Sequence, residues 1–424
     1  MANILNLPDL RPSLLLDFAN SRQVDPRVTF TRASAATRWN AAGVLETVPA
    51  GVPRIDHDPA TGKCLGLLVE GARTNLRTNS RQPTASTGTV LGTSSAIAPD
   101  GLAVTSIEDD PATSGEHYVN DLAVAVTTGQ TFVQSVFVKA MPGAERQVVL
   151  RVAGSVAGSQ SLAFNVSDTA CSATSAPSYP YGIQKCLNGW WRIWSQYTAI
   201  GDFAAAVFRV QVYKNNSGGY QGEAGKGLFL FGRQVEAGSS PTSYIPAGAS
   251  VATRADEFAG LLGANFSNWY RPDEGTFLFE GAPSSIAPGY GPGLFAVGDA
   301  TLSFETRNGL YLNTGNGTGV LAASMAVAGA GQIGTNTVTG TFAAGVTKKT
   351  AFAYQTDNTV GATDGVLGVV DTLCTIPKGL TGLSLGELSA GWSGGTSRLN
   401  GHIRRFAFYP KRLTAAELKR ITEA

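Results

Sequence analysis

Residues 131–139 read TFVQSVFVK, a run in which β-branched and aromatic side chains alternate imperfectly with polar ones and no 3.6-residue period is present. A half-buried strand fits that pattern. The same texture returns in Gln147–Ala153, in Phe203–Tyr213 (FAAAVFRVQVY) and in residues 227–235 (GLFLFGRQV), with Gly, Ser, Asn and Asp interrupting every ~8–12 residues. That rhythm predicts an all-β sandwich. One short helix is expected at the end of the chain, where Thr414 and Glu417 are spaced as the two halves of a capping box.

Composition narrows the class further. Of 424 residues, 51 are glycine; charged residues make up 15%, against a usual ~25%, while the apolar fraction is 43%. A coiled coil needs more charge at a regular period, and a disordered chain needs fewer apolar residues. The formal charge of +1 provides no field to gather a phosphate backbone or an anionic bilayer, so neither nucleic acid nor membrane insertion is expected. Near the start the longest apolar run is Leu14, Leu15 and Leu16 before Asp17, too short for a signal-peptide core, which leads to the expectation of synthesis in a cytoplasm. Four cysteines (Cys64, Cys171, Cys186, Cys374) do not make a disulfide framework; free thiols are expected, with a Cys171–Cys186 pair across a hairpin as the alternative.

Three zones follow one another. Residues 1–85 carry seven prolines that forbid long helices and read as an extended arm; residues 86–255 hold the first strand series; residues 256–424 hold a second series and the helix. The connector at 237–255 is small, polar and twice interrupted by proline, as suits a domain boundary.

Catalytic motifs are few. His57, His117 and His402 lie far apart, without metal-ligand spacing. Residues 391–395 (GWSGG) match a nucleophile elbow, yet a strand-like run follows where a helix is required. Gly329, Gly331 and Gly334 match a dinucleotide fingerprint without its helix, so both motifs read as loops. Carboxylate pairs at Asp56/Asp58, Asp109/Asp110 and Asp273/Glu274 keep glycoside chemistry open as an alternative. No cofactor is expected, and acidic turns of this kind are compatible with a structural calcium ion without calling for one. The aromatics are more informative. In an extended WWRIW run, Trp190, Arg192 and Trp194 share one face and Trp191 and Ile193 the other. An indole beside a guanidinium suits a sugar, the ring covering C–H faces and the cation donating to hydroxyls, although a core wall is the alternative. Tyr179, Tyr181, Trp269, Tyr270, Tyr290 and Trp392 stand in turn-like contexts and complete the candidate carbohydrate contacts.

Several longer stretches carry a resemblance. LLLDFANS at 14–21, VTFTRASAATRWNAAGVL at 28–45, PRIDHDPATGKCLGLLVEGARTNL at 53–76 and Asn79-Ser80 resemble a module of tailed-bacteriophage virion proteins. FGRQVEAG at 231–238, followed by TSYIP at 242–246 and TRAD at 253–256, resembles the close of a jelly-roll, carbohydrate-binding-like domain; LNGHIRRFAFY at 399–409 with the helix after it is similar to concanavalin A-like, laminin-G-like sandwiches. The resemblance implies two jelly-roll β-sandwich domains with an extended N-terminal arm and one short C-terminal helix. It also implies a virion component, such as a tail fibre, head fibre or receptor-binding protein, that contacts host surface polysaccharide without cleaving it. Other virion proteins would be its partners, and a homo-oligomer, a trimer by analogy with fibres, its assembled form. A purely structural decoration or adaptor role, or a depolymerase, is the competing expectation.

Overall fold

The strand-like runs fold as strands, at Thr131–Ala140, Gln147–Ala153, Phe203–Tyr213 and Gly227–Ala237. The computed structural model describes residues 11–84, 86–143, 146–153, 159–286, 291–298, 308–315, 317–334, 337–388 and 397–423. Within them the chain is all-β, built as two jelly-roll sandwiches. In the first, a six-stranded sheet runs in the order Tyr181–Lys185, Trp191–Thr198, Thr131–Ala140, Gly227–Ala237, Ser106–Asp109, Thr89–Gly92. It packs on a seven-stranded sheet centred on Gln147–Ala153, Phe203–Tyr213 and Ser114–Val126. Val136, Leu150, Phe164, Trp191, Ile193 and Leu230 fill the space between them.

The second sandwich draws on both ends of the chain. Its eight-stranded sheet is centred on Glu274–Pro283 and Gly401–Tyr409, and along the remaining edge of the latter strand the N-terminal zone adds Leu14–Leu16 opposite Phe406 to Phe408 and Cys64–Val69 opposite Gly401 to Ile403. Arg54–His57 closes that edge. In the opposing seven-stranded sheet, Thr29–Thr31 pairs with Phe258–Leu262. Between the two sheets Phe277, Phe295, Phe406 and Phe408 stack edge-to-face and tilted at 4.9–6.1 Å, with Leu14, Leu16, Phe18, Leu67 and Val69 in the same core. The extended N-terminal zone therefore runs within the second sandwich, and the first sandwich is inserted between Asn75 and Ala252. At the base of that insertion, Arg73–Asn75 leads out antiparallel to Ala252–Arg254, which leads back. Asn75 is fully buried and ties the base together: its amide N–H donates to the carbonyls of Arg233 and Ile245, and its oxygen accepts from the N–H groups of Arg77 and Val235.

Docking of the N-terminal hairpin requires one glycine. Gly66 has φ +105°, and a Cβ there would stand 2.2 Å from the Ile403 carbonyl oxygen and 2.9 Å from Arg404 Cα, both backbone atoms. Gly66→Ala is expected to cost about 2–3 kcal/mol by combining backbone strain with a clash that no side chain can relieve, read as a shift in the urea midpoint. An unchanged midpoint would mean the hairpin docks more loosely than described.

The terminal helix is Ala415–Thr422. Glu417 N–H donates to Thr414 Oγ1 and Thr414 N–H to Glu417 Oε2, so both halves of the capping box form. It lays Leu418 and Ile421 over the outer face of the eight-stranded sheet, against Ala351, Val360 and Tyr409. Two of the dinucleotide-like glycines, Gly329 and Gly331, belong to a hairpin: Ala328 and Gly329, with φ +47° and +81°, form the turn between Leu321–Val327 and Ala330–Gly331, and Gly334 follows in a loop where its N–H donates to Asp371. The elbow-like run at 391–395 lies outside the described residues. All four cysteines are free, and burial pushes the thiols of Cys171 and Cys186 up to about 12, which leaves them unreactive. Among the described residues no helix is long and apolar enough to cross a membrane.

Candidate functional site

Where the two sandwiches meet, the chain buries a lattice of charge. Arg54 forks onto Glu257, Nε to Oε1 at 2.9 Å and Nη2 to Oε2 at 2.6 Å, and also donates to Glu70 Oε2 at 2.8 Å. Arg32 reaches Glu257 at 2.8 Å, and Arg254 pairs with Glu70 at 3.0 Å. Burial alone would raise the Glu70 carboxyl, but the Arg254 and Arg54 guanidiniums hold it well below the usual carboxylate range. Burial works against the Arg54 cation too, and Glu70 and Glu257 overcome it, keeping Arg54 above its ordinary value. Arg32, Arg54 and Glu70 come from the N-terminal zone, and Arg254 and Glu257 from the end of the connector, so both stretches contribute to the joint between sandwiches.

Beside this lattice lies a cleft of about 300 Å³, at the lower end of the range for small-molecule sites. The outermost strand of the six-stranded sheet, Tyr181–Lys185, with its neighbour Trp191–Thr198, forms one wall; the outermost strand of the eight-stranded sheet, Arg54–His57, with the hairpin Ala36–Trp39/Leu45–Val48, forms the other. Pro241 to Tyr244 of the connector lie behind, and His402 stands at the side. The alternation expected of the WWRIW run holds. Trp191 and Ile193 point into the first sandwich, whereas Trp190, Arg192 and Trp194 point outward. That outward face is not open to solvent, because Trp39, Leu45 and Tyr244 cover part of it and make a small aromatic core with Phe137 and Phe231.

Polar groups around the cleft are arranged as follows. Asp56 accepts from Trp39 N–H at 2.6 Å and pairs with His402 Nε2 at 2.8 Å. His57 Nδ1 lies 3.0 Å from the Trp39 carbonyl oxygen, which only accepts, so that nitrogen carries the proton. Trp194, half-buried, lies over Gly182, where a Cβ would stand 2.4 Å from the indole nitrogen. The tryptophans divide by what their indole N–H does. Trp190 donates to Ile97 O, Trp191 to Ser167 O and Trp269 to Asn265 O, at 2.7–2.9 Å. Trp39 and Trp194 have no indole partner among the described residues, and both line the cleft.

The sequence candidates are not one cluster. Arg192 and Trp194 line the cleft, but Trp190 is 1% exposed and packs under Phe231, so it is a core residue. Trp269 is likewise buried, and Tyr270 stacks on Phe266 at 4.7 Å; both belong to the aromatic core of the second sandwich, where burial pushes the Tyr270 phenol up to about 12. Tyr179 packs at the margin of the first core, and Tyr181 is exposed, edge-on to Phe164. Tyr290 and Trp392 lie outside the described residues. Trp39, Asp56 and His402 join Arg192 and Trp194, with Asp56 and His402 alone 346 positions apart, a convergence that no local pattern signals.

Each carboxylate pair has other work. Asp58 accepts from Ala60 and Thr61 N–H in a turn; Asp109 is buried against Arg146 and accepts from Tyr220, while Asp110 closes a turn at Thr113. Glu274 accepts from Arg412 N–H, and Asp273 faces Arg271 at 3.5 Å on the surface. Among the described residues no three His, Cys, Asp or Glu side chains converge as a metal site would require.

No family model and no curated protein sequence matches the chain. Among solved structures it is similar to a Trypanosoma rangeli sialidase in complex with 2,3-difluorosialic acid, at 11% identity and a TM-score of 0.29, over 79% of this chain and 62% of that one. A second Trypanosoma rangeli sialidase structure matches at 11% identity and a TM-score of 0.26, over 75% and 60%. The chain thus spans about three fifths of the sialidases it matches. Domains LG4-5 of the mouse laminin alpha1 chain match at 11% identity and a TM-score of 0.22, over 85% of this chain and 92% of that one.

Proposed function

We propose that the protein is a virion fibre or spike component that binds host-surface polysaccharide in the cleft between its sandwiches and does not cleave it. The observation that carries this reading is the pair of indoles lining the cleft, half-buried Trp194 and the more deeply set Trp39, each with an N–H donor without a protein partner. Neither indole nitrogen is sealed from solvent, so each can donate to a hydroxyl-rich ligand entering the cleft. The three carboxylate pairs considered for hydrolysis are tied up in turns and ion pairs, which favours binding over catalysis. Assembly as a homotrimer on the particle, beside other virion proteins, is part of the proposal.

The test is adsorption of the purified protein to host cells and to a glycan array, with the supernatant assayed for released sugars. Wild-type protein is expected to be retained without liberating reducing ends or unsaturated sugars, and Trp194→Ala to weaken retention by at least about tenfold. Retention that survives Trp194→Ala would move the site elsewhere, and liberated ends would make the protein a depolymerase.

A further inference from the structure

We propose that the sugar held in the cleft carries a carboxylate, received by Arg192; this rests on the reading of the cleft as a glycan site. The argument begins with how the other buried arginines are satisfied. Arg32, Arg54, Arg146 and Arg254 each meet a carboxylate, and Arg77 and Arg233 donate to backbone carbonyls. Arg192 differs. It is 7% exposed, lies against the Phe137 ring at 5.3 Å, and of the five N–H donors of a guanidinium it places one, from Nη2, on Ser135 Oγ at 3.1 Å. Its Nε has no partner, and no carboxylate among the described residues pairs with it.

The acids nearby are engaged elsewhere. Asp56 is paired with His402, and Glu70 with Arg54 and Arg254; Glu236 accepts from Gln234 and from Thr242. Arg38, the other arginine lining the cleft, is paired with Glu46. Arg192 is therefore the one arginine lining the cleft, among the described residues, that no carboxylate contacts. Burial in that setting lowers its pKa, and Glu236 and Glu70 offset the effect only from a distance. Glu236 supplies counter-charge without reaching the guanidinium, so the unfilled donors of Arg192 still call for an acceptor, and the planar fork of a guanidinium matches a carboxylate. A phosphate monoester would bring a second negative charge beside Asp56 and Glu70.

The experiment compares binding of the full chain to glucuronate-containing oligosaccharides with binding to the same oligosaccharides after reduction of the carboxyl to hydroxymethyl, and to a sulfated neutral oligosaccharide. Acidic sugars are expected to bind at least about tenfold more tightly than both. Arg192→Gln should erase the preference by weakening the acidic ligand alone, and Arg192→Lys should restore it in part, whereas Trp194→Ala should weaken every ligand. If Arg192→Gln does not fold, the comparison on wild-type protein still decides. Equal binding of acidic and reduced sugars, lost in Trp194→Ala, would overturn this proposal and leave the glycan site standing, as would equal binding of the sulfated sugar. No binding of any of them would overturn both.

Discussion

Replacing Glu257 with alanine is expected to lower stability by about 3–5 kcal/mol, because it leaves two buried guanidiniums without their shared counter-charge. Arg54 and Arg32 both contact that carboxylate, and all three side chains are fully buried. Desolvation makes an intact buried pair worth little net, whereas a broken one retains the whole cost of the remaining charges. Glu257→Gln keeps the shape and removes only the charge, so it should retain most of the loss. The surface pair Arg38–Glu46, about one third exposed, provides the control: Glu46→Ala should cost less than about 1 kcal/mol. Denaturant unfolding at neutral pH measures all three. A Glu257→Ala protein as stable as the control would show that water reaches the lattice.

Cutting the chain at the boundary that its composition suggests should have a still larger effect. A protein begun at residue 256 is expected not to fold at all. It lacks Leu14–Leu16 and the Arg54–His57/Cys64–Val69 hairpin, which together cover one edge of Gly401–Tyr409, and with them the core side chains Leu14, Leu16, Phe18, Ile55, Leu67 and Val69. Removing one large core side chain typically costs 2–5 kcal/mol, so losing six exceeds the whole stability of an ordinary domain. Near-ultraviolet circular dichroism of residues 256–424 should therefore lack a native signal, and adding residues 1–84 in trans should restore it. A cooperative melt of 256–424 alone would contradict the strand pairing described.

Local features of the fold were legible and distant ones were not. The strands at 131, 147, 203 and 227 and the capping box at Thr414 each depend on neighbours within a dozen residues, where periodicity and capping chemistry operate. That Arg192 and Trp194 share a face was readable for the same reason. What covers that face was not, since Trp39 and Tyr244 arrive from other parts of the chain. The prolines of the N-terminal zone correctly exclude a long helix, leaving only the single turn Phe18–Ser21, but nothing in a three-residue run such as Leu14–Leu16 announces a partner at Phe406 to Phe408. Charged letters also mislead at the joint: Arg32, Arg54, Glu70 and Glu257 would ordinarily be read as surface, and only their mutual pairing makes their burial affordable.

The insertion also sets a clock for biosynthesis. Val69 pairs with Gly401, so roughly 330 residues must leave the ribosome before the N-terminal hairpin meets its strand, which takes about 15–70 s at ~5–20 residues per second. The inserted sandwich is complete well before then and can fold on the nascent chain. Meanwhile the edges of Leu14–Leu16 and Cys64–Val69 wait with unsatisfied backbone donors, the condition under which strands pair with the wrong chain. Antiparallel pairing of Arg73–Asn75 with Ala252–Arg254 shortens that risk from the other side: once the inserted sandwich has closed and its return strand has been made, the waiting hairpin is held beside the emerging second half, and the last search is local.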